Sequence, residues 1–210
     1  MINKRIKEKG FLAKLLEKGL KIFLKKECKQ ISNIKIDIVS SSTQIIKGEI
    51  QEINIIAENI NYKDLLFDVF KLEANDLKIN FKLTNKQISI INNPSIKFQI
   101  SLSEDSLRTV LLSNRWNWIG NMISEKILSQ EKLEDLKIMN NQLSIKASEK
   151  NIILNQEEQI TIKAHQGKVY FSNTNYNKSI QIPIEDKIYI ENLNIENNII
   201  NIYANSSISF

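Results

Sequence analysis

The 210-residue chain has one cysteine, one histidine, two prolines and five glycines, and no apolar stretch of about 18 residues. A single thiol, Cys28, excludes an intramolecular disulfide and any metal site built from several cysteines. Histidine-based catalysis would need His165. The alternation Ile162, Ala164, His165 puts that ring on the wet face of a strand, where a surface histidine is expected. With so little glycine, the G-x-x-x-x-G-K-[ST], G-x-G-x-x-G and G-x-S-x-G patterns are all absent. The acidic pairs Glu157-Glu158 and Glu185-Asp186 sit at turns and lack the Asp/Asn/Gly pattern of a calcium loop. No catalytic set, metal set or cofactor motif emerges, so the chain is expected not to be an enzyme. Without a long apolar run, no helix crosses a bilayer. Lys14, Glu17, Lys18 and Lys21 interrupt the one candidate for a signal peptide, so the chain is expected on the cytoplasmic side.

What is present is unevenly distributed. Residues 1–29 hold ten Lys or Arg (Lys4, Arg5, Lys7, Lys9, Lys14, Lys18, Lys21, Lys25, Lys26 and Lys29) against Glu8, Glu17 and Glu27, a net of +7. The whole chain carries only +5, so everything after Lys29 is slightly acidic. The basic character belongs to one segment, which asks for an anionic partner. At about 100° per residue, Leu12, Leu15, Leu16, Leu20, Phe23 and Leu24 form one broad arc, and Lys14, Lys18, Lys21 and Lys25 share the opposite face. Gly10 and Gly19 would each weaken this helix by roughly 1 kcal/mol relative to Ala, so its apolar arc must be buried against something. Three partners compete: the remainder of the chain, an anionic membrane surface, and nucleic acid. The first two are compatible with each other. The segment lacks the arginine and aromatic interleaving of base readers, so no nucleic acid is expected.

From Ile31 onward the pattern is alternation. Ile34, Ile36 and Ile38, then Leu77, Ile79, Phe81 and Leu83, then Ile96, Phe98, Ile100 and Leu102, each alternate with polar residues. The second half continues with Leu143/Ile145/Ala147, Ile160/Ile162/Ala164, Val169/Phe171, Ile180/Ile182/Ile184, Ile188/Ile190 and Ile200/Ile202/Ala204. Period two means half-buried strands, and roughly ten to twelve of them imply antiparallel sheet. Asn140-Asn141 and Asn197-Asn198 read as hairpin turns. Gly48, with a skipped phase at Ile50, Ile53 and Ile55, suggests a bulge. So large a dry face must fold over as a sandwich, curl around helices, or hold an apolar ligand.

Between the strands, Ser103 N-caps a helix whose first turn carries Glu104 and Asp105 and whose apolar face is Leu107, Val110 and Leu111. After a break at Asn114, a second helix is expected from Arg115 to about Leu128, carrying Trp116, Trp118, Ile119 and Met122. Trp suits pocket mouths, membrane interfaces and gaps between sheet and helix alike.

Three stretches are similar to the LmeA-like phospholipid-binding proteins. They are Lys47-Gly48 through Ile53 with Ala57 to Ile60, then Asn93-Pro94 leading through Phe98 to Leu107, and finally Ile188 to Ala204. Ser103 stands where that family has threonine, Arg108 where it has asparagine, and Asn197-Asn198 where glycines are usual. The resemblance implies a long curved antiparallel sheet wrapped around the N-terminal amphipathic helix and a central helical segment, related to tubular lipid-binding folds, and phospholipid binding without catalysis. The expectations are then an α+β, mostly β fold: a basic amphipathic helix over residues 1–30 and one β-rich domain over 31–210, with helices at about 103–128. The expected role is that of a lipid-binding, membrane-peripheral protein without a cofactor. A phospholipid or other apolar ligand would meet Leu107, Val110, Leu111, Trp116, Trp118, Ile119 and Met122, while Lys14, Lys18, Lys21 and Lys25 face an anionic membrane surface. The alternative is a protein-interaction or assembly factor with no bound lipid.

Overall fold

The computed structural model describes residues 10–82, 87–149, 152–153, 157–173, 175 and 177–207. Lys4, Arg5, Lys7, Lys9 and Leu83 lie outside them. Helix α1 (Phe11–Glu27) is followed by strand β1 (Gln30–Val39), a short helix α2 (Ser42–Ile46), β2 (Glu49–Tyr62), β3 (Leu65–Lys82), β4 (Gln87–Ile90) and β5 (Ser95–Ser103). Helices α3 (Glu104–Leu112) and α4 (Asn117–Ile123) come next, and a π-helical turn (Ser124–Leu128) extends the latter. The chain then runs through β6 (Lys132–Met139), β7 (Gln142–Glu149), β8 (Ile152–Ile153), β9 (Glu158–His165), β10 (Lys168–Asn173), β11 (Lys178–Gln181), β12 (Ile188–Glu196) and β13 (Ile199–Ser207).

The fold is α+β and mostly β, as the alternation requires, but the strands divide into two antiparallel sheets instead of one long one. The first runs β1-β2-β3-β5-β13-β12, with β4 paired to β3. The second runs β11-β10-β9-β7-β6, with β8 paired to β7. They meet where the Ile190 N–H of β12 donates to the Gly167 carbonyl in the β9–β10 turn. Both Asn-Asn pairs are hairpin turns, with φ near +55° at all four residues.

Gly48 is not a bulge. Its φ of +76° closes the turn after α2, where an added Cβ would strike the Ile79 carbonyl oxygen. The β2–β3 register is unbroken across the region. The skipped phase is real, since Ile50 and Ile53 are both buried, but it falls opposite the left-handed residue Asp76 (φ 55°). Asn33 in β1 (φ 47°) and Asn59 in β2 (φ 50°) are left-handed as well, so all three neighbouring strands contain such a residue. Asn and Asp adopt this region more readily than other side chains with a Cβ.

Two larger cores and a smaller third cluster lie along the first sheet. At the β5-β13-β12 end, Leu102, Leu193, Ile200 and Ala204 pack with Leu107 and Leu111 of α3, Ile123 and Ile127 of the following helix, and Leu136, Leu143, Ile145 and Ile160 of the second sheet. At the other end, Ala13, Leu16 and Leu20 of α1 cover Ile38, Ile50, Ile53, Ala74 and Leu77. The buried seam of α1 is therefore narrower than the sequence arc. Leu15 and Phe23 are exposed, and Ala13, which the arc omits, is fully buried. Gly10 is the N-cap, where glycine costs little, so Gly19 alone weakens the helix interior.

Candidate functional site

Between the two larger cores a smaller cluster of buried Ile34, Ala57 and Ile60, with Leu24, Cys28 and Phe67 against it, leaves the dry face only partly covered. A cleft of about 380 Å³ lies beneath the C-terminal end of α1, walled by Phe23, Leu24, Glu27 and Cys28 of the helix end and by Ile31 of β1. Its floor is Ile55, Ala57, Ile60 and Tyr62 of β2 with Phe67, Phe70 and Leu72 of β3. The left-handed residue Asn59 explains this composition. Ala57 and Ile60 have opposite parity and would point to opposite faces of a regular strand, as would Phe67 and Phe70 across the ladder. Asn59 and the facing Asp68 lie between them, and both members of each pair line the same cleft. Phe70 continues toward the larger core through Phe98, ring centroids 6.5 Å apart. Phe23 and Tyr62 are exposed and mark the mouth.

The mouth is braced from outside. Lys29 pairs with Asp64 at 2.6 Å, joining the end of α1 to the β2–β3 hairpin. The Trp116 indole N–H donates to the Lys63 carbonyl at 3.0 Å on the same hairpin. Lys63 places its ammonium 5.0 Å above the Tyr62 ring. In the cleft wall, burial first and then the Glu27 carboxylate raise the pKa of the Cys28 thiol above its ordinary value. It is held as a neutral, apolar wall and not as a thiolate nucleophile.

On the other flank of α1, a polar trough of about 570 Å³ is lined by Lys21, Lys25, Lys35, Ser32, Asn33 and Glu58, with Ile31 common to trough and cleft. The single carboxylate there accepts a hydrogen bond from the Asn33 amide. Three ammonium groups against one carboxylate leave the trough cationic.

The residues expected from sequence to meet a ligand fall elsewhere. Leu107, Val110 and Leu111 are buried, and Ile119 and Met122 are partly buried against the larger core. Trp116 props the cleft's hairpin without lining the cleft, and Trp118 is exposed. Helices α3 and α4 are bound to the sheets on both sides. The Ser103 N–H and the Ser106 hydroxyl donate to Asp68 of β3. Arg108 pairs with Asp135 of β6 at 2.7 Å. Glu104 and Asn121 accept from the Ile138 and Leu133 N–H groups of β6. Of the four lysines of the stripe, Lys21 and Lys25 reach the trough while Lys14 and Lys18 are exposed outside it. His165 is exposed with its ring edge-on to Tyr170. Among the described residues no group of three or more His, Cys, Asp or Glu is placed to hold a metal, and no helix is long and apolar enough to cross a membrane.

A family model described as LmeA-like phospholipid-binding matches residues 8–193. The match begins ahead of α1, so it takes in the helix that roofs the cleft, and it ends within β12. No curated protein and no solved structure matches the chain.

Proposed function

The chain belongs to the LmeA-like phospholipid-binding family, and from that premise we propose that it is a non-catalytic, membrane-peripheral protein that holds a phospholipid with its acyl chain in the cleft beneath α1. The observation that carries this reading is the pairing of an almost wholly apolar cleft with a cationic trough across one helix. An acyl chain suits walls of Phe23, Leu24, Phe67, Phe70 and Leu72, which leave no buried polar group to be compensated. The phosphate then lies toward Lys21, Lys25 and Lys35, where point-charge ammonium groups attract it without fixing its geometry. Lys14 and Lys18 extend the same charge along α1 toward an anionic membrane surface, each contributing on the order of 1 kcal/mol there. The raised Cys28 thiol fits a passive wall.

Native mass spectrometry of the full chain purified without detergent tests the reading. A co-purifying phospholipid is expected, and filling the floor with Ala57→Leu or making it polar with Ile55→Gln should lower occupancy at least severalfold. Lipid-free protein would instead favour an assembly factor that binds no lipid, and occupancy unchanged in both variants would place the lipid outside the cleft.

A further inference from the structure

Helix α1 has a second apolar strip that the cleft does not use. Phe11, Leu15 and Ile22 are 77%, 55% and 60% exposed. At the helical repeat they fall within an arc of about 40°, on the side opposite the buried Ala13, Leu16 and Leu20. Lys14, Lys18, Lys21 and Lys25 border this strip on one side and Lys26 borders it on the other. The carboxylates of the helix are turned elsewhere. Glu17 reaches inward and accepts from the Ile38 N–H of β1 at 2.9 Å, and Glu27 lines the cleft. The outward face therefore presents three large apolar side chains and five lysines, with no acid among them.

We propose that this face of α1 inserts into the surface of an anionic bilayer, with Phe11, Leu15 and Ile22 entering the acyl boundary and the lysines at headgroup level. Charge complementarity selects the occupant. A convex strip of spaced apolar side chains, flanked by a row of four lysines and on its other side by Lys26, matches a surface that is fluid, apolar below and anionic above. It offers no groove for a partner's side chains. Phe23 follows Ile22 directly, so a helix seated this way brings the cleft mouth to the headgroup layer, where a lipid can pass sideways between bilayer and cleft. This last step rests on the cleft being the lipid site; the insertion itself does not.

Co-sedimentation of the full chain with vesicles of phosphatidylglycerol and phosphatidylcholine, and with phosphatidylcholine alone, tests the insertion. Binding to the anionic vesicles is expected, with a loss of at least tenfold in the triple variant Phe11→Ser, Leu15→Ser, Ile22→Ser. All three positions are exposed, so the fold should survive. On a Cys28→Ser background, an environment-sensitive dye on Ile22→Cys should shift to the blue on binding, and the same dye on Thr161→Cys should not. Anionic-vesicle binding undiminished in the triple variant, a dye at position 22 that stays solvent-like, or a dimer in solution that the triple variant abolishes would each overturn the proposal. Native mass spectrometry of the triple variant separates the two claims. Retained lipid with lost vesicle binding supports insertion, and vesicle binding by a chain that never carries lipid contradicts only the cleft assignment.

Discussion

Cys28 and Glu17 show how single side chains divide labour on α1. Each sits where the sequence alone reads as an ordinary position on a basic helix or at its end. Cys28 closes the cleft wall, its thiol raised by burial first and by the Glu27 charge second. Because only the thiolate attacks electrophiles, alkylation of Cys28 near neutral pH should be slower than that of a free thiol. Removing the neighbouring charge in Glu27→Gln lowers the thiol pKa and should speed alkylation severalfold; an unchanged rate contradicts this electrostatic account. Occupying the cleft with lipid should slow both proteins. Glu17 instead satisfies a backbone N–H of β1, so its carboxylate turns inward, away from the outer face that carries Phe11, Leu15 and Ile22. The lysine stripe was legible from spacing alone. The inward turn of Glu17 was not, because it depends on the edge of a strand that packs alongside only in the folded chain.

At the scale of elements, alternation identified the strands well because each has one dry face, and Ser103 marked the start of α3 through its capping chemistry. The paired asparagines marked two hairpins. The division into two sheets was hidden, since alternation says that a strand is half-buried but not which neighbour it finds. The phase breaks around Asn59 and Asp76 were present in the sequence as apolar residues three apart with an Asn or Asp between them. They decide which side chains reach the cleft. The clustering of tryptophan and apolar residues in α3 and α4 was legible, but their hydrogen bonds and ion pair to β3 and β6 were not, because those partners are remote in sequence.

The second sheet has an electrostatic feature of its own. The Ser144 hydroxyl first, then Lys137 and Lys146, holds the Glu157 carboxyl below its ordinary range, and the Ser148 hydroxyl does the same for Glu134. A carboxyl lowered in the folded state adds stability above its unfolded pKa of about 4.3, and that stability is lost as pH falls through the folded value. Ser144→Ala removes the first-named cause for Glu157. Its unfolding midpoint should lie below that of the unaltered chain near pH 6, with the gap narrowing as the pH falls below the unfolded value of about 4.3. A gap that does not change with pH contradicts the role given to the Ser144 hydrogen bond.

For the whole molecule, the arrangement follows from an excess of dry sheet over available cover. Helix α1 and the second sheet cover the two ends of the first sheet's apolar face fully and the part between them incompletely. The strip left between them, from Ile31 and Ile60 to Phe70 and Leu72, is the cleft. A sequence can announce that such a face exists; where it stays uncovered depends on how far α1 reaches along β1 to β3, which is settled by packing. The most direct test of this account is photo-crosslinking with a phospholipid that carries a diazirine on its acyl chain, followed by peptide mapping of the adducts. Adducts on residues 23–31, 55–62 and 67–72 are the expected result. Adducts confined to residues 107–122 would return the site to the central helices and contradict the cleft, as would specific labelling of no position at all.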